Sequence, residues 1–271
     1  MSLENLPPLR HSLEAYGLLA KKAFGQHFLL DLNITRKIAR LAGPLDGETV
    51  IEVGPGPGGL TRALLEAGAK VVAVEKDPRF LPLLEDLATA SGGALTLVEA
   101  DALWADEAVL AGGCGHIVSN LPYNVGTPLL IKWLTGPWRP ASMTLMFQKE
   151  VADRIAAATG TEAYGRLSVI AQAVCEAKVM MDLPPRAFTP PPKVSSAVVR
   201  LDPKPNALDP ALLAALERVT AAAFGQRRKM LRSSLKVLGG EALCASAEID
   251  AEARAETVDV AGFLRLAAAL P

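Results

Sequence analysis

Cysteine, long apolar runs and an excess of positive charge are all scarce in this sequence. It has three cysteines in 271 residues. Cys114, Cys175 and Cys244 lie far apart without a CxxC pair, which argues against a disulfide framework and a zinc site, so we expect no bound metal and a reducing, cytoplasmic setting. No apolar run approaches the roughly 18 residues of a membrane span, and prolines and charges near the start replace the apolar core of a secretory signal. We therefore expect no membrane association.

The charge balance excludes a general attraction to nucleic acid. The 28 lysines and arginines are balanced by 29 aspartates and glutamates, which gives a formal net charge of −1. Any contact with nucleic acid must therefore come from a local basic patch. Apolar residues are abundant, at 50% of the chain with a mean hydropathy of +0.25. A chain of this length and composition can bury a sizeable core, which excludes a disordered or fibrous protein.

From Thr49 onward, short β-branched runs alternate with stretches of helical spacing. One helical pattern, over 34–43, comes earlier, with Asn33 as its expected N-cap. Nearly continuous apolar runs are typical of strands buried on both faces of a parallel sheet. Five such runs are followed by two that predict a hairpin-like addition at the sheet edge: 50–53, 70–76, 94–100, 116–120 and 143–147, then 177–183 and 195–201. The alternation predicts a doubly wound, Rossmann-like α/β sheet.

A second domain is predicted after a proline-rich stretch. Residues 202–210 contain three prolines and no apolar periodicity, which is typical of a linker, and we place the domain boundary near Pro205. The larger predicted domain covers 1–204, including a helical N-terminal extension over 1–45. The smaller predicted domain covers 205–271 and is all-helical.

A glycine-rich loop follows the first predicted strand. It matches GxGxxG at Gly54, Gly56 and Gly59, and glycine allows a sharp turn and a close approach of a ligand. Glu75 ends the second strand, where an acid can accept hydrogen bonds from ribose hydroxyls. A turn that needs glycine only for packing is the alternative. NAD and S-adenosylmethionine fit this pattern equally.

Asp101 follows the third predicted strand at the same edge of the sheet. A carboxylate there can accept a hydrogen bond from the exocyclic amino group of adenine, which both cofactors carry. Acids after strands two and three are more usual in methyltransferases, so Asp101 partly favours S-adenosylmethionine. The alternative is an aspartate that caps the next helix.

The most specific motif is Asn120-Leu121-Pro122-Tyr123, after the fourth strand. It resembles the N-[LI]-P-Y motif of amino-methylating enzymes. The amino nitrogen of adenine is a poor nucleophile because its lone pair is delocalised into the ring. The side-chain oxygen of Asn120 and the carbonyl of Leu121 can accept its two N–H bonds, while Tyr123 offers a face for stacking the base. An ordinary turn with a packed tyrosine is the alternative.

These motifs occur in order with four further segments, and together they resemble the KsgA-type small-subunit (16S) ribosomal RNA adenine N6-dimethyltransferases over nearly the whole chain. The further segments are 22–29 (KAFGQHFL), 147–154 with 164–165, 188–194 (FTPPPKV) and 224–229 (FGQRRK). The resemblance implies a class I methyltransferase fold, S-adenosylmethionine as cofactor, and a helical C-terminal domain that binds RNA or the ribosome.

The resemblance also implies roles for individual residues. In the family the segment around Gln26 closes over the methionine end of the cofactor, and Phe188 sandwiches the target base opposite Tyr123. The expected catalytic residues are Asn120, Leu121, Tyr123 and Phe188. The expected cofactor-binding residues are Gln26, His27, Leu29, Gly54, Gly56, Glu75, Asp101 and Asn120. Two positions depart from the usual family pattern, His27 in place of asparagine and Pro57 in the glycine loop.

Residues 224–236 contain five basic side chains and no acid. A continuous helix there puts Arg228 and Arg232 on one face. We expect Arg227, Arg228, Lys229 and Arg232 to contact RNA phosphates. A solvated helix face is the alternative.

The implied activity is N6-dimethylation of adjacent adenines in small-subunit ribosomal RNA during ribosome biogenesis. The implied protein is a cytoplasmic monomer whose partners are the small ribosomal subunit and its RNA. Three alternatives stay open: a large-subunit adenine methyltransferase that confers antibiotic resistance, a non-catalytic RNA-binding or transcription-factor relative, and an NAD-dependent dehydrogenase. The Asn-Leu-Pro-Tyr, FxPxPKV and FxxRRK forms favour the small-subunit enzyme. Intact Glu75, Asp101 and Asn120 argue against a non-catalytic relative.

Overall fold

The computed structural model describes residues 6–18, 27–226 and 228–270. Its strands are β1 (Thr49–Val53), β2 (Lys70–Glu75), β3 (Leu95–Glu99), β4 (His116–Asn120), β5 (Met143–Gln148), β6 (Cys175–Leu183) and β7 (Ser196–Pro203). Its helices are α1 (Leu9–Ala15), α2 (Leu32–Leu41), α3 (Gly59–Glu66), α4 (Leu81–Ala90), α5 (Glu107–Ala111), α6 (Gly126–Thr135), α7 (Lys149–Ile155), α8 (Arg166–Val174), α9 (Pro210–Gly225), α10 (Leu231–Ser234), α11 (Gly240–Ser246) and α12 (Val260–Ala268).

The strands form one seven-stranded sheet in the order β3-β2-β1-β4-β5-β7-β6. The first five strands pair in parallel, with Val53 opposite Val74 and Ile51 opposite Ile117. β6 and β7 lie side by side at the edge of the sheet, as expected. The doubly wound α/β fold predicted from the apolar runs is confirmed, and strands β1 to β5 match their predicted bounds within one residue at each end.

Helices α2 and α3 contribute to the main core beside the parallel strands. Ile38, Leu64, Val50, Val71 and Val118 belong to one buried apolar cluster, and none is more than 1% exposed. Strands that present apolar side chains to both faces of a sheet require such cover. No helix in the described part of the chain combines the length and the apolar character needed to cross a membrane.

The chain order reverses between β1 and β4. β2 and β3 extend the sheet on one side of β1, while β4 and β5 extend it on the other. Crossover connections that leave in opposite directions open a crevice at the carboxyl ends of the two central strands, where open α/β sheets bind ligands. Residues that follow Val53 and Asn120 are therefore placed at the expected ligand site.

The N-cap of α2 is Asp31, and the prediction of Asn33 was wrong. The Asp31 carboxylate accepts a hydrogen bond from the Asn33 backbone N–H at 2.8 Å. Asn33 lies inside the first turn of the helix, where its own backbone N–H needs a partner, and Asp31 supplies that partner from the position before the helix.

The chain divides into two compact units. In described residues, the first unit contains 6–18, 27–130, 138–152 and 179–200, and the second contains 131–137, 153–178, 201–226 and 228–270. The second unit thus takes in two segments that precede the predicted boundary near Pro205. One reason lies in α8, because α8 packs against both α9 and α12. Helix contacts, which a linker pattern does not reveal, decide this division.

The second unit has its own aromatic centre. The ring of Phe224 stacks on Phe263 at a centroid distance of 5.4 Å and meets the edge of Tyr164 at 6.2 Å. The buried Tyr164 hydroxyl donates to the Val258 carbonyl at 3.0 Å. These contacts tie α9, α12 and the segment before α8 into one core.

The predicted continuous helix after Gly225 is wrong. α9 ends at Gly225, and α10 begins only at Leu231 and spans four residues. Between them, Met230 forms a β-bridge with Arg254, and the Leu231 N–H donates to the Ala253 carbonyl at 2.8 Å. A backbone N–H that bonds to a distant carbonyl is not available for a helical bond, so tertiary pairing replaces the helix that the local pattern favours.

Candidate active site

A cavity of about 590 Å³ lies at the switch point between β1 and β4. This volume is in the range of small-molecule sites, roughly 300 to 1,000 Å³. Its walls come from residues 27–29, the glycine-rich loop, the end of β2 and the turn after β4. The predicted residues that line it are His27, Leu29, Gly54, Gly56, Glu75, Asn120, Leu121 and Tyr123.

The glycine-rich loop turns sharply and leaves room for a ligand. Gly54 and Gly56 have φ angles of +67° and +53°, in the left-handed region that disfavours side chains. A Cβ on Gly54 would lie 3.4 Å from the Pro122 ring, and one on Gly56 would lie 3.5 Å from the Phe28 ring. These separations are ordinary van der Waals contacts, so glycine is required at both positions by the positive φ angle and not by lack of space.

Glu75 holds the glycine-rich loop against the end of β2. One carboxylate oxygen accepts the Gly56 N–H at 3.1 Å, and the other accepts the Asp77 N–H at 2.8 Å. Burial raises the pKa of this carboxyl, and the two N–H bonds oppose the increase. Each oxygen of a carboxylate can accept a second hydrogen bond, so Glu75 can also receive donors from a ligand.

Asp101 does not line the cavity, in contrast to the other described residues predicted to bind the cofactor. Its carboxylate forms an ion pair with Lys76 at 2.8 Å and accepts the Leu103 N–H at 3.0 Å. The second bond closes a turn directly after β3. It does not cap the next helix, because the N-cap of α5 is Asp106. The geometry therefore gives Asp101 a local structural role in addition to any contact with a ligand.

The turn after β4 is fixed by hydrogen bonds on both sides of Asn120. The Ser119 hydroxyl donates to the Val53 carbonyl at 2.6 Å, which joins the ends of β4 and β1. The Pro122 carbonyl accepts the N–H groups of Val125 and Gly126 at 3.1 and 3.0 Å. The backbone beside Asn120 is thus held rigidly where the side chain enters the cavity.

Tyr123 is anchored by its hydroxyl group. The hydroxyl shares a 2.7 Å hydrogen bond with that of Ser196, which is fully buried. Burial raises the pKa of the tyrosine, and the bond to Ser196 opposes the increase. The His27 ring lies 6.1 Å from the Tyr123 ring, tilted by 31°. Tyr123 therefore presents a positioned aromatic ring at the cavity wall.

Two of the sequence motifs meet beside the cavity. Phe28 and Thr189 exchange two backbone hydrogen bonds, of 3.0 and 2.9 Å. The Nδ1 atom of His27 lies 2.7 Å from the Pro190 carbonyl oxygen, and a carbonyl can only accept, so Nδ1 carries a hydrogen. The bridge places residues 27–29 beside residues 188–190. Gln26 lies outside the described residues.

Phe188 does not line the cavity that Tyr123 lines. It is 3% exposed and belongs to the buried apolar cluster that includes Leu29, Leu183 and Val198. Phe188 therefore offers no open face to a base in this conformation, and its role opposite Tyr123 stays a prediction. An apolar ring in a proline-rich loop gains more by packing into a core than by standing in water.

Glu52 is a cavity residue that the sequence reasoning missed. It lies in β1, is 1% exposed, and its Oε2 atom has no hydrogen-bond partner among the described residues. Burial raises its pKa from 4.5 to about 8, and the negative charge of Glu75 adds to the increase. A single acid inside the apolar run TVIEV was the available signal, because a buried strand rarely carries a charge.

The predicted RNA-binding residues lie in the second unit. Arg228 and Lys229 are exposed in the turn after α9, and Arg227 lies outside the described residues. Arg232 forms an ion pair with Glu252 at 3.3 Å, which offsets part of its charge. Because Arg228 precedes α10, it does not share a helix face with Arg232, and the predicted basic stripe is replaced by a short basic turn.

The geometry agrees with comparisons to known proteins. The family model for ribosomal RNA adenine dimethylase matches residues 17–270. The chain is 73% identical over 268 residues to a Phenylobacterium zucineum protein named ribosomal RNA small subunit methyltransferase A, covering 98% of this chain and 94% of that one. A Caulobacter vibrioides protein of the same name is 70% identical, with coverages of 93% and 97%.

Two solved structures resemble this one closely. A dimethyladenosine transferase from Plasmodium falciparum has a TM-score of 0.73 and 25% identity, covering 89% of this chain and 96% of that chain. The 23S rRNA methyltransferase ErmE has a TM-score of 0.70 and 27% identity, with coverages of 90% and 99%. The family match, the identities and the Asn-Leu-Pro-Tyr turn at the cavity together lead to one conclusion: this chain belongs to the ribosomal RNA adenine dimethylase family.

Proposed function

We propose that this chain dimethylates the N6 atoms of adjacent adenines in small-subunit ribosomal RNA, with S-adenosylmethionine as the methyl donor. The observation that carries the proposal is the rigid Asn120-Leu121-Pro122-Tyr123 turn at the wall of the cavity. High identity to relatives named small subunit methyltransferases supports the small subunit as the substrate. The large-subunit alternative is supported less, since ErmE is 27% identical.

The cavity fits S-adenosylmethionine in three respects. The open glycine loop admits a backbone approach, the Glu75 carboxylate can accept ribose hydroxyl groups, and the unpartnered Oε2 of Glu52 offers a buried acidic group. We assign the cofactor to Gly54, Gly56, Glu75 and the wall formed by His27 and Leu29. Gln26 and Asp101 are included from the family resemblance. When bound, the cofactor supplies an electrophilic methyl group on a positively charged sulfur.

Asn120 and Leu121 align the amino group of the target adenine. The side-chain oxygen of Asn120 and the Leu121 carbonyl accept its two N–H bonds, which favours a pyramidal nitrogen with its lone pair directed away from the ring. Positioning of this kind accelerates transfer without a strong base, because the nitrogen attacks as the neutral amine and the extra proton that it carries after transfer passes to water. Once the nitrogen carries one methyl group it has one N–H left, so the second transfer proceeds with one hydrogen bond fewer.

Tyr123 receives the flipped base on its ring. Its bond to Ser196 fixes the ring before the base arrives, so less rotational freedom is lost on binding. Because Phe188 is buried, its role as the opposite face requires movement of the 188–194 loop when the base binds. Flipping costs a few kcal/mol, and least for a base that is already unstacked.

We assign binding of the small subunit to Arg228 and Lys229 in the turn after α9 and to Arg232, and we include Arg227 from the family resemblance. With a net charge of −1, a few local phosphate contacts supply the attraction, so an assembled particle with further contacts is favoured over protein-free RNA. Ribosomal subunits of bacteria are assembled in the cytoplasm, and we place the protein there.

Single-turnover methyl transfer tests the role of Asn120. Asn120→Ala should lower the rate of the chemical step by on the order of 100-fold, the usual contribution of a well-oriented polar group, while cofactor affinity changes little. Asn206→Ala, which removes an exposed asparagine between β7 and α9 that does not line the cavity, is the matched control and should retain the rate. A near wild-type rate in Asn120→Ala would remove this residue from the mechanism.

A further inference from the structure

The Glu52 carboxyl lies in an unusual environment for an acid. It is buried in the centre of the sheet, lines the candidate cofactor cavity, and has one oxygen without a hydrogen-bond partner in the described part of the chain. Burial disfavours the ionised carboxylate, and although the Thr61 hydroxyl offers it a hydrogen bond, the neutral acid is the stable form at neutral pH. Its raised pKa, about 8, agrees with this geometry.

The groups around Glu52 do not neutralise a negative charge. α3 brings the hydroxyl of Thr61, and β2 brings the carboxylate of Glu75. β4 carries His116 at its start, where the imidazole pairs with Glu48 at 3.8 Å. Among described residues, the charge that acts on Glu52 is therefore the negative one of Glu75. A cation in the cavity would complement both acids.

We propose that Glu52 is a proton-switched counter-ion for the methyl donor: neutral in the free protein, ionised when a positively charged sulfonium occupies the cavity, and neutral again with the uncharged thioether product. The inference rests on the proposed use of S-adenosylmethionine. It gives the site a means to distinguish the donor from S-adenosylhomocysteine, which has the same nucleoside, amino and carboxylate groups but lacks the charge on sulfur.

The linkage sets the size of the expected effect. At pH 7, about nine-tenths of a carboxyl with a pKa near 8 is protonated. If Glu52 ionises on donor binding, that binding releases up to about 0.9 more protons than product binding does. The ratio of donor affinity to product affinity then increases about tenfold per pH unit below pH 8 and levels off above it.

Isothermal titration calorimetry of the full chain measures this directly. Titrations with S-adenosylmethionine and with S-adenosylhomocysteine in several buffers of different ionisation enthalpy give the protons released by each. The wild type should show a difference approaching 0.9 at pH 7 that fades above pH 8. Glu52→Gln should abolish the difference and make the affinity ratio independent of pH. Glu99→Gln removes an exposed carboxyl at the end of β3 and should behave as wild type.

Equal proton release by the two ligands in the wild type would overturn the inference, and so would a difference that persists in Glu52→Gln. If Glu52→Gln does not fold, the wild-type titrations at pH 6 to 9 decide, because a difference that stays constant across this range contradicts titration near pH 8. A failure of the donor to bind at any pH would overturn the proposed function itself. If the donor binds but releases as many protons as the product does, only the proposed protonation change of Glu52 would be overturned.

Discussion

Replacing Glu52 with glutamine should make the stability of the free protein less dependent on pH. The folded pKa of Glu52 is about 8, above its ordinary value of 4.5. Below pH 4.5 the Glu52 carboxyl is protonated in both the folded and the unfolded chain, so it does not change the free energy of unfolding. As pH increases from 4.5 to 8, the unfolded chain ionises while the folded protein does not, so folding stability is lost progressively. Glutamine cannot ionise and avoids this loss.

The size of the effect follows from the shift. One pKa unit corresponds to about 1.4 kcal/mol, so the wild type should lose roughly 3 to 4 kcal/mol relative to Glu52→Gln between pH 5 and pH 8. The side chain is 1% exposed, so solvent screening does not reduce this figure. Such a loss is a large part of the stability of a typical domain, about 5 to 15 kcal/mol.

Urea unfolding at pH 5, 6, 7 and 8, followed by circular dichroism, measures the difference between the two proteins. The advantage of Glu52→Gln should increase with each pH step. Glu99→Gln, which changes an exposed carboxyl on β3, should follow the wild type throughout. A difference between wild type and Glu52→Gln that is constant from pH 5 to pH 8 would show that Glu52 ionises normally in the folded protein, and the reasoning would be wrong.

Three further tests address Gly54, Tyr123 and residues 227–229. Gly54→Ala forces an alanine to a φ of +67°, so it should lower the free energy of unfolding by about 1 to 2 kcal/mol. It should also weaken the binding of S-adenosylmethionine measured by calorimetry, and unchanged binding would contradict the loop assignment. Tyr123→Phe keeps the ring but leaves the buried Ser196 hydroxyl unpaired, so it should lower stability by about 1 to 3 kcal/mol and preserve most methyl transfer. Tyr123→Ala removes the ring and should lose methyl transfer. Equal methyl-transfer activities of the two variants would exclude stacking. A charge-neutral triple variant at 227–229 should lose small-subunit binding and show a shallower salt dependence with normal cofactor binding, and an unaltered salt slope would make the turn a solvated surface.

The sheet and the location of the site could be predicted from the sequence. Apolar runs such as 116–120 have few alternatives to a buried parallel strand, and the glycine loop and Asn120 each follow such a run directly. The carboxyl ends of parallel strands share one edge, so these motifs had to meet there. The order of the motifs along the chain, together with the parallel arrangement of the strands, therefore predicts where the site lies.

The remaining features depend on contacts between distant segments. The helix expected after Gly225 is interrupted because Met230 pairs with Arg254, which no local pattern records. Phe188 is buried because Leu183 and Val198 offer it an apolar cluster. Glu52 was missed because motif reasoning favours acids at strand ends, while this acid lies inside a strand. Only the packed structure shows that its carboxyl faces the cavity.

Transfer of labelled methyl groups from S-adenosylmethionine to ribosomal subunits tests the central claim most directly. The substrates are small and large subunits isolated from a strain that lacks the activity, and digestion of the RNA identifies the modified nucleoside. The account predicts N6,N6-dimethyladenosine in small-subunit RNA, none in large-subunit RNA, and a strong reduction with Asn120→Ala. Label in large-subunit adenines, or undiminished transfer by Asn120→Ala, would contradict it.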